Sequence, residues 1–151
     1  MVNLGFSGNG QLEKELIDLI AEIDAGFFVL DCLPNLGGFK SEEVNKRILA
    51  AVNTLRERHP KTPIILTDHA GFTENRMDAA VRRTIMTANQ TSAAAYQQLV
   101  KAGVKNIYQL STQEIGLGTD GTVDGSHPTD LGMLRYATAY EALIKKILGT
   151  K

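Results

Sequence analysis

The sequence predicts an α/β protein built as three layers, α/β/α, around a parallel, doubly wound sheet. Short apolar runs alternate along the chain with longer segments whose apolar residues recur at helical spacing. Strands that alternate with helices imply parallel pairing and right-handed crossovers, with helices on both faces of the sheet. No linker rich in proline or serine divides the 151 residues, so we expect a single domain over residues 1–151.

Four apolar segments are predicted as strands. They cover residues 2–6, 27–33, 64–67 and 106–110. The second is a continuous apolar run that contains one acid, Asp31, as is typical of a parallel strand covered on both faces. Because ligands in open parallel sheets bind beyond the carboxyl ends of the strands, the loops after these four segments are expected to share one rim.

Helical signals fill the intervening segments. Apolar positions within residues 12–23 fall on one face of an amphipathic helix. Ser41 is expected to cap a second helix, whose first turn carries two glutamates where the helix dipole favours acids. A third helix is predicted over about residues 77–102, with Gly103 as its C-terminal cap, and a fourth over residues 131–148.

A histidine and an aspartate stand three positions apart in a turn-forming segment near the C-terminus. Neutral imidazole suits proton transfer near pH 7, so His127 is the candidate general base, and Asp124 is the candidate partner for its Nδ1–H. Pro128 biases His127 toward an extended backbone and keeps the pair in a loop. The alternative is an ordinary helix start, in which Thr129 or Ser126 caps the last helix and His127 is merely exposed.

The glycine-rich segment 5–10, GFSGNG, follows the first predicted strand. It matches neither a nucleophile elbow, nor a dinucleotide-binding fingerprint, nor a P-loop. Glycine lets a ligand approach the backbone closely, so Gly8 is a candidate oxyanion donor, and Asn35 after the second strand is a second one. Ordinary turns are the alternative for both. Ser7 is expected to contact substrate, and its use as the nucleophile is a weaker hypothesis because the elbow is missing.

His69 follows the third predicted strand and is expected either to line the substrate pocket or to stabilise a loop. Cys32 as a thiolate nucleophile is a remote alternative, since a single cysteine on a strand is more often an inert core residue. A metal site is also ranked below acyl transfer, because its candidate ligands lack tight spacing on one element. Those ligands are Asp68, His69, Asp124, His127 and Asp130.

Composition limits the partners and the compartment. A net charge of -1 gives no electrostatic reason to expect nucleic acid or an acidic membrane, and no apolar run is long enough to span a bilayer. One cysteine excludes an internal disulfide. The first residues lack the basic and apolar regions of a signal peptide, which favours the cytoplasm, whereas a signal further upstream would favour export.

Taken together, three segments resemble the SGNH hydrolases, also called GDSL-type esterases and lipases. The segment NLGFSGNG at residues 3–10 is similar to the second sequence block of that family, residues 31–35 to its third block, and residues 124–128 to its fifth. The resemblance implies that Gly8 and Asn35 donate to an oxyanion and that Asp124 and His127 complete a catalytic triad. It also implies a flavodoxin-like fold, hydrolysis of carboxylic esters, and no metal or organic cofactor.

The first block of the family, a turn that carries the catalytic serine after the first strand, has no counterpart in residues 1–151. The resemblance therefore implies that the nucleophile lies outside this chain, that the sheet lacks the family's first strand, and that the chain alone has negligible esterase activity. The expected substrate is a small-molecule or carbohydrate ester, such as an acetyl ester. A complementing N-terminal fragment or a second copy of the chain is expected at the open sheet.

Two other functions remain open. One is a non-catalytic binding or assembly module that is completed by a partner or by self-association, through strand addition to the sheet. The weaker one is a flavodoxin-like phosphate or nucleotide binder that uses the glycine-rich loop.

Overall fold

The computed structural model describes residues 2–71 and 79–150. Within these ranges the chain forms three strands, five α-helices and two short 3-10 helices. In chain order they are α1 Lys14–Ile20, β1 Phe28–Leu30, a 3-10 helix Leu33–Leu36, α2 Ser41–Arg58, β2 Ile64–Thr67, α3 Ala79–Lys101, β3 Ile107–Leu110, α4 Thr112–Ile115, a second 3-10 helix Thr119–Gly121, and α5 Asp130–Leu148.

The three strands form a parallel sheet in the order β1-β2-β3. Leu30 at the end of β1 pairs with Leu66, and Thr67 at the end of β2 pairs with Leu110. The carboxyl ends of all three strands therefore lie at one edge of the sheet. Among the described residues β1 has a neighbour on one side only, which agrees with an α/β sheet that lacks a first strand.

Alternate residues of β2 face the two helical layers, as the two-residue period of a strand requires. Ile64 and Leu66 pack into a core with α1, α2 and α3, whereas Ile65 packs into a second core with α4 and α5. All four residues of β2 are buried. The predicted three-layer α/β/α arrangement is confirmed.

Residues 2–6 do not form the predicted strand. They are exposed and have no strand neighbour among the described residues, and the backbone N–H of Gly5 donates to Oδ1 of its near neighbour Asn3 at 2.9 Å. The second predicted strand is shorter than expected. It ends at Leu30 because the backbone of Cys32 leaves the extended region, and a 3-10 helix with Pro34 near its start follows.

The predicted helices are present, with shifted ends. Leu12 has a positive φ of 58°, which excludes it from α1. Ser41 is the first residue of α2 rather than its cap, because Lys40 holds the extended cap position. Gly103 closes α3 with a φ of 85°, as predicted, while the expected start of that helix at Met77 lies outside the described residues. None of the described helices is long and apolar enough to cross a bilayer.

Helix α5 touches the preceding 3-10 helix through two glycines. A Cβ atom on Gly132 would overlap the carbonyl oxygen of Gly121 and lie 3.0 Å from Cδ1 of Leu117. The same carbonyl accepts the backbone N–H of Thr129 at 2.9 Å, so it cannot easily move away. This contact fixes the amino end of α5 against the turn that precedes it.

We predict that Gly132→Ala lowers the free energy of unfolding by about 1–3 kcal/mol, the usual cost of overpacking. Urea unfolding followed by circular dichroism measures the effect. Gly26→Ala is the matched control, since nothing lies within 4 Å of a Cβ atom at that exposed position. Equal stability of the two variants would contradict the assigned contact.

Candidate active site

His127 and Asp124 are hydrogen-bonded to each other in the turn that precedes α5. Nδ1 of His127 lies 2.7 Å from Oδ2 of Asp124. The other carboxylate oxygen, Oδ1, accepts the backbone N–H of Ser126 at 2.9 Å and that of His127 at 2.8 Å. The His127 side chain is 81% exposed, and its Nε2 has no hydrogen bond to the described residues. Nε2 is therefore accessible to a ligand.

These hydrogen bonds hold the pKa of Asp124 well below its usual range. The backbone N–H of His127 has the largest effect, followed by the His127 ring and the backbone N–H of Ser126. The carboxylate stays ionised near pH 7 and accepts the Nδ1–H of the imidazole. In that tautomer Nε2 carries the lone pair that a general base needs.

Main-chain hydrogen bonds hold this turn in place. The backbone N–H of Val123 donates to the carbonyl oxygen of His127 at 2.9 Å, and that of Thr129 donates to Gly121. Thr129 also caps α5, because its Oγ1 accepts the backbone N–H of Gly132 at 3.2 Å. The helix-start interpretation is thus correct about the cap and the exposure of His127, and it is compatible with the hydrogen bond to Asp124.

Gly8 and Asn35 are linked through Gly10. Nδ2 of Asn35 donates to the carbonyl oxygen of Gly10 at 3.1 Å, and the backbone N–H of Gly10 donates to Phe6 at 3.0 Å. Gly8 lies within this turn with a φ of 70°, which favours glycine. Its backbone N–H has no hydrogen bond in the described ranges. The Gly8 turn therefore lies beside the 3-10 helix that comes after β1.

Ser7 is exposed in the same turn, and its carbonyl oxygen accepts Nδ2 of Asn9 at 3.1 Å. In the described part of the chain no hydrogen bond joins Ser7 to His127. A substrate contact by Ser7 stays a prediction.

His69 is buried directly after β2. Its Nδ1 accepts the backbone N–H of Gly71 at 3.0 Å, and the side-chain amide of Asn89 bonds both the N–H and the carbonyl oxygen of His69, at 2.9 and 3.1 Å. Burial lowers the pKa of His69 to about 4, so the imidazole is neutral near pH 7. This geometry gives His69 a loop-stabilising role, and contact with substrate stays a prediction.

The two parts of the candidate site lie on neighbouring strands of one rim. A Cβ atom on Gly71 would lie 3.5 Å from the carbonyl oxygen of Gly125, so the His127 turn packs beside the end of β2. Asn35 lies beyond the end of β1, which pairs with β2. No hydrogen bond within the described ranges joins Gly8 or Asn35 to the Asp124–His127 pair.

A polar network on the same rim was not predicted. The hydroxyl of Tyr140 donates to Oδ2 of Asp31 at 3.0 Å and lies 2.7 Å from Oγ1 of Thr67. Burial and the nearby carboxylate raise the pKa of Tyr140, and partial desolvation raises that of Asp31. Asp31 was noticeable in the sequence as the single acid within an apolar run. Nothing in the sequence indicates that Tyr140 is its partner.

Two weaker hypotheses lose support. Burial raises the pKa of Cys32 to about 12, which keeps the thiol protonated near pH 7 and disfavours a thiolate nucleophile. Within residues 2–71 and 79–150, no group of three or more His, Cys, Asp or Glu side chains is placed to hold a metal ion.

Comparison with known proteins gives one family and a consistent fold. The family model of the GDSL-like lipases and acylhydrolases matches residues 1–145. A solved structure from Bacteroides ovatus, described as a GDSL-like lipase, is 42% identical with a TM-score of 0.87, and the match covers 99% of this chain and 44% of that one. No curated protein sequence matches.

A second solved structure supports the fold alone. The salicylyl-acyltransferase SsfX3 from a tetracycline biosynthetic pathway is 19% identical with a TM-score of 0.75, over 91% of this chain and 42% of that one. The chain thus spans less than half the length of both solved structures.

We predict that Tyr140→Phe lowers the free energy of unfolding by about 1–2 kcal/mol, because it leaves the buried hydroxyl of Thr67 without a partner. Urea unfolding measures the loss. Tyr96→Phe is the control, since the Tyr96 hydroxyl has no hydrogen bond in the described ranges. A Tyr140→Phe/Thr67→Val double variant should recover part of the loss. If the losses of the two single variants simply add in the double variant, the hydrogen bond between Tyr140 and Thr67 does not contribute to stability.

We predict that His69 makes stability fall as the pH drops from about 6.5 to about 4. In this window the unfolded imidazole binds a proton that the folded one does not, so the free energy of unfolding falls by at most about 1.4 kcal/mol for each pH unit. The raised pKa values of Asp31 and Asp68 act in the opposite direction. The measurement is therefore the difference between wild type and His69→Asn in urea unfolding, from pH 4.5 to 7.5. If the free energies of unfolding of the two proteins change with pH in parallel, the lowered pKa of His69 is contradicted.

Proposed function

Because this chain belongs to the GDSL-like lipase and acylhydrolase family, we propose that it carries the base and the oxyanion donors of an ester-cleaving site. The observation that carries the proposal is the hydrogen bond of His127 to an ionised Asp124, with Nε2 left accessible. The proposed substrate is a carboxylic ester, such as an acetyl ester of a small molecule or a sugar. The serine nucleophile comes from a segment outside residues 1–151.

The open side of the sheet supports a nucleophile from another segment. In the described ranges β1 pairs with β2 alone, and Val29 at its centre is 44% exposed. A parallel strand added at this edge would pair with the backbone of β1 and would end on the same rim as Asn35 and His127. A serine following that strand would be close to both.

In the proposed mechanism, the serine oxygen attacks the ester carbonyl while Nε2 of His127 takes its proton. Asp124 stabilises the imidazolium that forms. The oxyanion is bound by the backbone N–H of Gly8 and by Asn35. The side-chain amide of Asn35 has two N–H groups, and the one not bonded to Gly10 is available. His127 then returns the proton to the leaving alcohol. In the second half of the reaction, water attacks the acyl group on the serine while His127 takes its proton, and His127 gives that proton to the serine oxygen as the acid leaves.

The open β1 edge also favours a second candidate, an assembly module that binds a strand without catalysis. Self-association through this edge would appear as a dimer in light scattering. A monodisperse monomer that unfolds cooperatively would argue against edge pairing between copies.

We predict that the chain alone hydrolyses p-nitrophenyl acetate no faster than buffer. Expressed in one reading frame with an upstream segment that supplies a strand and a serine, it should turn over, and His127→Ala should lower kcat by about a thousandfold or more. Asp120→Asn, an exposed acid outside the site, is the control and should retain activity. Turnover by the chain alone that Ser7→Ala abolishes would contradict the proposal and would identify Ser7 as the nucleophile.

A further inference from the structure

A cavity of about 420 Å³ opens between the first 3-10 helix, the amino end of α2 and the first turns of α3. Its volume is within the usual range for small-molecule sites. The walls come from three elements that are separated in sequence, so the fold, and not one local loop, creates this space.

The cavity begins next to a proposed oxyanion donor. Leu36 and Gly37 line it, and they directly follow Asn35. Consecutive Cα atoms are about 3.8 Å apart, so the cavity wall starts within about two such steps of Asn35. The cavity therefore begins close to Asn35 along the chain.

The floor of the cavity is apolar and held in place. Leu36, Val44 and Ala88 are buried side chains that line it. Phe39 forms part of the wall, and the guanidinium of Arg47 lies 4.4 Å from its ring centroid. This surface suits the carbon chain of a ligand.

Two cationic side chains line the same cavity. Lys40 and Arg83 have no ion-pair or hydrogen-bond partner in the described ranges. No acidic residue is among the lining side chains that the structure describes. Glu43, in the first turn of α2, is instead bonded to Arg47 at 2.7 Å. Among the described lining side chains, the formal charges that face the cavity are therefore both positive.

The threonines of α3 add one more polar group. Oγ1 of Thr84 donates to Ala80 at 3.1 Å and that of Thr91 donates to Thr87 at 2.7 Å, so both hydroxyl protons are used within the helix. The hydroxyl of Thr87 itself has no hydrogen bond in the described ranges and also lines the cavity. It is available to an anion held by the two cations.

We propose that this cavity binds a negatively charged group, a carboxylate, of the ester substrate, which makes the substrate class anionic esters. Arg83 offers paired N–H donors that match a carboxylate, Lys40 adds a second charge, and the apolar floor accommodates the linking carbons. This inference rests on the proposed function for the position of the ester, but the binding itself requires no nucleophile.

The test is a binding experiment on the 151-residue chain, with monomethyl succinate as the anionic ester and dimethyl succinate as its neutral match. Titration followed by amide NMR should give saturable shifts at Gly37, Ser41 and Thr84 with monomethyl succinate. Dimethyl succinate should bind at least tenfold more weakly. The Lys40→Gln/Arg83→Gln double variant should also bind monomethyl succinate at least tenfold more weakly, and raising the salt concentration should weaken binding in the wild type.

The control variant is Lys46→Gln/Arg82→Gln, which removes the same charge from α2 and α3 outside the cavity lining. It should bind like the wild type, and unchanged spectra away from the cavity establish that both double variants are folded. Equal binding of the two esters, no binding, or unchanged binding by Lys40→Gln/Arg83→Gln would overturn the inference. His127→Ala should bind normally, so a failure of anion binding by this chain and a failure of hydrolysis when an upstream segment supplies the serine are separate results.

Discussion

The middle strand, β2, is hydrogen-bonded on both sides and buried on both faces, and the candidate site depends on that double constraint. Because β2 cannot shift toward either helical layer, the positions of Thr67 at its end and of His69 just after it are fixed. The turn of His127 packs beside this end of β2, and Asn35 follows the neighbouring strand. A rigid parallel sheet thus brings groups from distant parts of the sequence to one rim.

Much of the fold was predictable because helical periodicity and short apolar runs are local signals. The segment Ile64–Thr67 was predicted with its observed bounds, and Gly103 was identified as a cap from its residue type. Residues 2–6 were wrongly predicted as a strand, because an apolar segment becomes a strand only where a neighbour supplies hydrogen bonds. The positive φ of Leu12, which shortened α1, likewise has no sequence signal.

The candidate site was predictable where its chemistry is local. Asp124 and His127 are three positions apart, so a turn is enough to join them. The link between Thr67 and Tyr140 spans 73 positions, and the cavity places Lys40 near Arg83. Such pairs depend on how α3 and α5 dock on the sheet, which one sequence without structure does not specify. Their roles in catalysis and binding stay predictions.

The hydroxyl of Tyr140 reaches two residues that lie 73 and 109 positions earlier in the chain. Both contacts form only after the last helix, α5, has been made. They are contacts of large sequence separation, which raise the contact order of the domain. During synthesis on the ribosome, the face of the sheet that contains Ile65 has no α5 to cover it. Until α5 has been made and has packed on the sheet, this apolar face can bind other chains, so the nascent protein is prone to aggregation during that period.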